Sequence, residues 1–339
     1  MNSNCALIIT SIANQDNKVL QIFAKECHTH NIHFIVIGDK SSPPDFTIKG
    51  CDYYGLEVQS KMNFSFAKLV PERHYSRKNI GYLQAIKNGA QLIVETDDDN
   101  YPKENFWNTR LLQHSIPTLI EKGWVNVYNY FSSGYIWPRG YPLEYIQKTV
   151  PDLSLSKTES VYCPIQQALA DENPDTDALF RLTQPLPHHF DKKTKLALGN
   201  KTWCPFNSQN TTFFSDAFPL LYLPSYCSFR MTDIWRSFVA QRIGWENNWH
   251  LLFDEASVRQ ERNTHNLLRD FEDEIPGYLN NTKICKTLEG LKLKKGKENC
   301  YENLVICYQS LIDIQVIEKD ELPLLNAWIS DLKEIRQQI

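Results

Sequence analysis

The sequence predicts an α/β fold followed by a helical C-terminal part. In the first 100 residues, β-branched apolar runs alternate with helically spaced apolar residues, which is typical of a mainly parallel sheet covered on both faces. Beyond Asp254 the chain becomes more charged and its apolar residues recur at helical spacing. The length of 339 residues and the hydrophobic share of 42% allow a large core and exclude a disordered chain.

The first elements follow from apolar patterns taken in chain order. Residues 6–12 form a β-branched run that predicts a strand ending in the polar Thr10 and Ser11. Residues 18–29 carry a helical period, and residues 32–37 predict a second buried strand that stops at Gly38.

Later elements are predicted in the same way. A helix is expected over 79–89, and a strand over 91–94 leads directly into an acidic segment. The remaining predictions are a strand-like aromatic region at 124–140, the start of a helix at 166–169, a sheet-and-loop region at 203–224, a helix at 232–244, and helices at 304–317 and 322–335. The lysines between 283 and 297 predict a basic, flexible segment between the terminal helical stretches.

Three adjacent carboxylates at the end of a strand are the strongest chemical feature. Asp97, Asp98 and Asp99 repel one another, so their burial requires a neutralising cation. Alternate residues of an extended segment face the same way, so Asp97 and Asp99 match a pair that holds Mg²⁺ or Mn²⁺ against a diphosphate. The alternative is a solvated acidic turn.

Several polar residues near the predicted strand ends are candidates for binding a phosphorylated ligand. Cations that precede a helix N-terminus suit a phosphate, and a carboxylate after a strand suits a nucleoside hydroxyl. The candidates are Thr10, Ser11, Asp39, Lys40, Arg77, Lys78, Asn79, Asp97 and Asp98. No GxGxxG or GxxxxGK[ST] is present, which disfavours dinucleotide and P-loop sites.

Charge and cysteine content limit the partners and the compartment. A net charge of -4 provides no global positive field for nucleic acid. The sequence has no apolar run long enough to span a bilayer, its start lacks the basic region of a secretory signal, and its nine cysteines contain no C-x-x-C pair. We therefore expect a cytoplasmic protein. Its basic segment 283–297 is either solvated or a peripheral contact with the inner face of an anionic membrane.

A strand, a DxD motif and a mixed second half form the pattern of the GT-A nucleotide-sugar glycosyltransferases, which have a Rossmann-like fold. Four more segments, at 78–86, 137–144, 207–211 and 230–236, resemble those of the STELLO-like family of glycosyltransferases. The resemblance spans roughly residues 75–265. It implies a GT-A domain over 1–255, with a donor half at 1–100 and an acceptor half at 101–255, and a helical extension over 256–339.

The resemblance also implies a nucleoside-diphosphate sugar donor, a divalent metal (Mn²⁺ or Mg²⁺) and a glycan or lipid-linked acceptor. It makes Asp233 the candidate general base of an inverting reaction, although Asp at a helix start is equally typical of an N-cap. His265 is a candidate metal ligand, or a surface histidine. The acceptor candidates are Trp137, Arg139, Arg230 and Arg236, for which core packing or structural ion pairing is the alternative.

Two other functions fit the same sequence. One is a nucleotide-sugar mutase resembling the reversibly glycosylated polypeptides, which also carry an aspartate triplet. The other is a non-catalytic assembly protein that retains the fold. An intact triplet disfavours the second.

Overall fold

A mixed sheet of eleven strands organises the part of the chain described by the computed structural model, residues 4–262 and 266–338. The strands are β1 Cys5–Thr10, β2 His33–Ile37, β3 Asp52–Tyr54, β4 Leu92–Thr96, β5 Asn100–Pro102, β6 Gln113–Leu119, β7 Gly123–Trp124, β8 Thr158–Tyr162, β9 Ile165–Asp171, β10 Leu196–Leu198, β11 Thr202–Trp203, β12 Asn210–Phe214 and β13 Leu251–Gln260. Their order is β3-β2-β1-β4-β12-β9-β13-β10-β6-β8, with β5 paired to β13, while β7 and β11 form a separate pair.

Helices cover both faces of this sheet. They are α1 Lys18–Thr29, α2 Leu56–Lys61, α3 Lys78–Lys87, α4 Tyr128–Phe131, α5 Ala178–Thr183, α6 Thr232–Glu246, α7 Leu267–Glu289, α8 Cys300–Asp313 and α9 Glu321–Gln338. Within the described ranges, none of them is long and apolar enough to cross a bilayer. The predicted α/β class with a helical C-terminal part is confirmed.

The N-terminal half of the sheet is parallel. Helix α1 connects β1 to β2, a loop connects β2 to β3, and α2 and α3 lie between β3 and β4. Strands β3, β2, β1 and β4 pair in parallel, and their alternate side chains enter two different cores. Ile8 belongs to the core beneath α3 and α6, and its neighbour Leu7 belongs to the core beneath α1. Gly81 lets α3 approach the sheet closely, since a Cβ there would lie 2.6 Å from Ile8 Cγ2.

An antiparallel strand interrupts the parallel order just beyond β4. Strand β12 runs antiparallel to both β4 and β9, with Asn210 opposite Thr96. The chain that leaves β4 crosses to the other side of β12 and pairs as β5 with the end of β13, where Asn100 lies opposite Gln260. The segment between β4 and β5 therefore spans the ends of several strands.

The C-terminal helices share their core with the α/β part. One hydrophobic cluster extends from Ala6 to Ile335, and Asp331 on α9 accepts hydrogen bonds from the backbone N–H groups of Ser65 (2.8 Å) and Phe66 (2.9 Å). The boundary predicted at 255/256 falls inside β13. The extension and the α/β part are therefore packed as one unit in the described ranges.

Most predicted elements agree with the structure, and the helix over 18–29 matches α1. The helix start at 166–169 is wrong, because these residues form the middle of β9, where burial on both faces hides the two-residue period. The strand-like prediction for 124–140 is also wrong. Apart from β7 and α4 that region is irregular, and most of its aromatic residues are buried in the core, whereas Tyr135 is exposed.

The basic segment is less flexible than predicted. Lys283 and Lys286 lie on α7, because Ile284, Cys285 and Leu288 continue the helical period into the core. Further along, two lysines of the segment form exposed ion pairs, Lys294 with Glu302 (2.7 Å) and Lys297 with Asp216 (3.0 Å). Contact of this segment with a membrane stays a prediction.

The anchor between α9 and the α/β part can be tested at Asp331. Asp331→Ala leaves two backbone N–H groups without their acceptor, and a buried unsatisfied donor costs about 1–3 kcal/mol. We expect urea denaturation to give a free energy of unfolding lowered by that amount. Glu334→Ala, at an exposed position of the same helix, is the matched control and should leave stability unchanged. Equal stability of both variants would contradict a shared core.

Candidate functional site

A cavity of about 790 Å³ lies where the parallel strands of the N-terminal half end. Its walls include Thr10 at the end of β1 and Ser11 after it, Gly38 after β2 and the aspartate triplet after β4. Ligands of open α/β sheets bind at this edge, outside the carboxyl ends of the strands. The cavity volume falls within the range of small-molecule sites.

Asp97 is held from below by a buried lysine. Lys78, whose side chain is fully buried, donates to Asp97 Oδ1 at 3.2 Å and to the carbonyl of Thr96 at 3.1 Å. Lys78 is not in the cavity wall, so it orients the first carboxylate of the triplet instead of facing a ligand directly.

The other two aspartates contact opposite sides of the cavity. The Ser11 hydroxyl, at the end of β1, donates to Asp98 Oδ2. Gln260, at the end of β13, donates through Nε2 to both carboxylate oxygens of Asp99 at 3.1 Å. The triplet therefore lies between the wall formed by β1 and β2 and the wall formed by β13.

The triplet suits a divalent cation that completes its coordination elsewhere. Burial raises the pKa of Asp97 to about 7 against the opposing effect of Lys78, and the charge of Asp99 adds to the increase. No group of three metal-binding side chains is preformed in residues 4–262 and 266–338. Asp97 and Asp99 thus offer two carboxylates, and Mg²⁺ or Mn²⁺ commonly takes its other ligands from phosphates and water.

One further oxygen atom near the triplet is available. The buried Gln260 Oε1 has no hydrogen-bond partner among the described residues, although Nε2 of the same side chain contacts Asp99. An oxygen-rich set with an unpartnered carbonyl fits a hard cation. His265, the third predicted metal ligand, lies outside the described residues.

The loop after β2 is held together by Asp39. This carboxylate lines the cavity but accepts the backbone N–H groups of Lys40 (2.7 Å), Arg73 (2.9 Å) and His74 (2.9 Å). The Lys40 side chain points elsewhere and pairs with Glu72 at 2.8 Å. Asp39 therefore fixes the shape of the cavity wall that follows β2, and Lys40 is not part of that wall.

Two predicted ligand-binding residues, one just before α3 and one within it, have side chains that are hydrogen-bonded to other parts of the protein. Arg77 lines the cavity, but it donates to the Gln59 side chain at 2.9 Å and to the carbonyls of Val70 (3.1 Å) and Pro71 (3.2 Å), and burial lowers its pKa. Asn79 is buried and exchanges two hydrogen bonds, at 2.8 and 2.9 Å, with the backbone of Leu223. Only Arg77 of this pair reaches the cavity.

Arg139 is clamped between two carboxylates on the other side of the cavity. Its guanidinium donates twice to Asp175, at 2.8 Å each, and to the two oxygens of Asp233, at 3.0 and 2.9 Å. It also donates to the carbonyl of Arg230, so all five of its N–H groups are used. The following Gly140, with φ +87°, allows this approach because a Cβ would overlap Ile234 on α6.

Asp233 is buried and fully engaged. Besides Arg139, it accepts the backbone N–H of Ser208 at 3.1 Å. Burial raises the pKa of Asp233, but the charge and hydrogen bonds of Arg139 outweigh burial and hold that pKa well below its usual range. The N-cap alternative is wrong, since Met231 occupies the cap position and α6 starts at Thr232.

The remaining acceptor candidates separate into buried and accessible residues. Trp137 is buried and donates to Asp177 at 2.7 Å, and Arg236 is buried in an ion pair with Glu95 at 2.6 Å. Arg230 lines the cavity and pairs with Glu274 at 2.8 Å. Of these three, only Arg230 is placed to meet a ligand.

Sequence reasoning missed several cavity residues, among them Asp175, Gln260 and Arg262. Asp175 lies in an acidic turn that gave a weak signal. Gln260 and Arg262 gave none, because their position depends on the pairing of β13 with β5, which links residues 160 positions apart.

The Arg139 clamp predicts a pH-dependent loss of stability in Asp233→Asn. A hydrogen bond to a charged group contributes about 1.5–3 kcal/mol, so we expect the free energy of unfolding at pH 7 to fall by about that amount. Because the folded-state pKa is depressed, this stabilisation is complete above the unfolded pKa of about 3.9 and declines at lower pH. Denaturation at pH 7 and pH 3 should therefore show a smaller difference between variant and parent at pH 3.

The control is Asp320→Asn, at an exposed position, which should match the parent at both pH values. A difference between Asp233→Asn and the parent that grows as the pH falls would contradict the clamp.

The chain is similar in sequence to one protein family and to two plant proteins. A family model described as STELLO glycosyltransferases matches residues 230–339. Two Arabidopsis thaliana proteins, probable glycosyltransferases STELLO2 and STELLO1, are each 26% identical to this chain over 90% of its length. The matched regions cover 42% and 41% of those proteins, so the chain spans about two fifths of their length.

Among solved structures, the mannosyltransferase PcManGT from Pyrobaculum calidifontis in complex with GDP-Man and Mn²⁺ aligns with 99% of this chain and 82% of its own. The TM-score is 0.40 and the sequence identity is 7%. The resemblance predicted from the sequence is nevertheless confirmed by the family model and the two plant proteins: this chain is similar to the STELLO glycosyltransferases.

Proposed function

We propose that this chain is a metal-dependent GT-A glycosyltransferase that moves a sugar from a nucleoside-diphosphate sugar to a glycan or lipid-linked acceptor. The observation that carries the proposal is the position of the aspartate triplet. It follows β4 and lines a large cavity between two polar walls, one formed by each half of the chain. The similarity to glycosyltransferases supports the reaction class.

In this proposal Asp97 and Asp99 hold Mn²⁺ or Mg²⁺, and Lys78 keeps Asp97 in place. The cation supplies positive charge that neutralises the diphosphate leaving group. The loop fixed by Asp39 forms the wall for the nucleoside, together with Thr10 and Ser11. These side chains bind and orient the donor while the cavity limits access of water.

Asp233 is better suited to position Arg139 than to take a proton. A general base needs a free lone pair near the acceptor hydroxyl and a pKa close to the working pH. Asp233 has its oxygens occupied by Arg139 and Ser208, and its pKa is strongly depressed. We therefore propose that Asp233 is a positioning residue on the acceptor side.

The two rival functions differ from this proposal in what the cavity must hold. A mutase needs only the donor end, whereas the second wall brings Arg139, Arg230 and Arg262 to the same cavity. A non-catalytic protein has no need of three carboxylates in an accessible cavity, where their mutual repulsion is destabilising. The second wall and the triplet thus favour transfer to an acceptor.

The metal site can be tested with Asp99→Asn. The substitution keeps the shape of the side chain and removes the charge, so we expect loss of Mn²⁺-dependent donor binding and of sugar transfer. Thermal unfolding with a panel of nucleoside-diphosphate sugars measures this, since a ligand at 100 times its Kd adds about 2.7 kcal/mol. The parent should be stabilised by at least one donor only with Mn²⁺ present, and chelation should abolish the effect.

Asp320→Asn, exposed and outside the cavity, is the control and should behave as the parent. Donor-dependent stabilisation that survives in Asp99→Asn, or that needs no metal in the parent, would reject this assignment of the metal site.

A further inference from the structure

The cavity has two chemically different ends, separated by the aspartate triplet. Asp98 contacts Ser11 on the side of β1, and Asp99 contacts Gln260 at the end of β13. Arg262 follows two residues after Gln260 and lines the cavity on this second side. Ser11, a predicted donor-binding residue, therefore contacts one aspartate of the triplet, and the segment that carries this arginine contacts another.

The second end also contains Arg230 and the exposed ring of Phe229, both from the 3-10 turn Phe229–Met231. The carboxylates of Asp175 and Asp233 line this end too, but both are bound by Arg139, which has used all its donors. Arg139 thus builds the wall and has no N–H left for a ligand.

Arg230 and Arg262 still have unused donors. Arg230 uses Nε and Nη2 on Glu274, at 3.0 and 2.8 Å, and its Nη1 has no protein partner among the described residues. Arg262 uses Nη2 on Asp270 at 2.9 Å. Its Nε is buried and has no hydrogen-bond partner in the described parts of the chain.

A buried guanidinium N–H without an acceptor is costly, and because Arg262 lines the cavity, a ligand oxygen can supply that acceptor. The positive charges of the two arginines also affect each other. Burial lowers the pKa of Arg262, and the charge of Arg230 lowers that pKa further. Two such guanidinium groups suit an anion, since each keeps a charged N–H donor for the oxygens of a phosphate or a carboxylate.

We propose that Arg230 and Arg262 form a binding site for an anionic group, a phosphate or a carboxylate, on the acceptor. The inference rests on the proposed function, which gives the other end of the cavity to the donor. The anion accepts hydrogen bonds from the free donors of both arginines. Phe229 offers an apolar surface beside it for the rest of the acceptor.

Calorimetric titration of the full chain with three matched probes tests the site. Glucose 6-phosphate carries a phosphate, glucuronate carries a carboxylate, and glucose carries neither. The chain is first saturated with Mn²⁺ and a nucleoside diphosphate, so that the donor end is filled. We expect at least one anionic probe to bind and glucose not to bind. The anionic probe that binds more tightly identifies the anion as a phosphate or a carboxylate.

Arg262→Gln should weaken binding of the anionic probe by about tenfold or more, the usual effect of losing a charged hydrogen bond. Arg262→Lys keeps a positive charge beside Asp270 and therefore serves as a control for a folding defect. We expect this variant to lose part of its affinity for the anionic probe. Arg269→Gln, on an exposed arginine, is the matched control and should bind as the parent. Thermal unfolding verifies that each variant is folded.

The proposal would be overturned by no binding of either anionic probe, by equal binding of glucose, or by unchanged binding in folded Arg262→Gln. A loss of nucleoside-diphosphate affinity in Arg262→Gln as large as the loss of probe affinity would assign the arginines to the donor and also overturn it. Failure of the proposed function is seen separately, as a parent chain that binds no nucleoside diphosphate with Mn²⁺.

Discussion

A buried ion pair beneath the cavity joins the two halves of the molecule. Glu95, one residue before the end of β4, pairs with Arg236 on α6 at 2.6 Å, and both side chains are fully buried. Tyr82 of α3 donates to the same carboxylate, and the Arg236 guanidinium stacks over the rings of Phe206 and Phe213. The strand that leads to the triplet, the helix before it and the helix that carries Asp233 are therefore tied together at one point.

Such a pair is costly to desolvate, and its stabilisation depends on complete hydrogen bonding. Three other charged groups near the cavity are also held by several hydrogen bonds. Arg139 is saturated by Asp175 and Asp233, Asp39 accepts three backbone N–H groups, and Lys78 is held by Asp97. These networks position the cavity walls, and most of the charged residues in them have no capacity left for a ligand.

Among the described residues, several groups that retain capacity line the cavity. They include the carboxylates of the triplet, the Oε1 atom of Gln260 and the free donors of Arg230 and Arg262. Arg230 and Arg262 fall within the segment 230–339 that matches the family model, whereas the triplet precedes it. The C-terminal helices of that segment support the site from below, since α9 packs against α3 and anchors the loop at Ser65.

The sequence by itself determined the α/β class, the bounds of α1, the strand that ends at the triplet and the candidate metal pair Asp97 and Asp99. These features depend on local periodicity and on charges adjacent in the chain, which a sequence displays directly. It also named Arg230, but it could not separate this accessible arginine from the buried Arg139 and Arg236. The three look alike in sequence, and only their partners distinguish them.

Tertiary structure alone decided the rest. The pairing of β5 with β13 brings Gln260 to Asp99 and Arg262 to the cavity, and no local pattern encodes a contact across 160 residues. Packing also decided the role of Asp233. The loop that carries Arg139 packs against α6, so the Asp233 carboxylate is bound by Arg139 and is not free to accept a proton. Residue type fixes which chemistry a side chain can perform, and the three-dimensional partners determine whether it remains free to perform it.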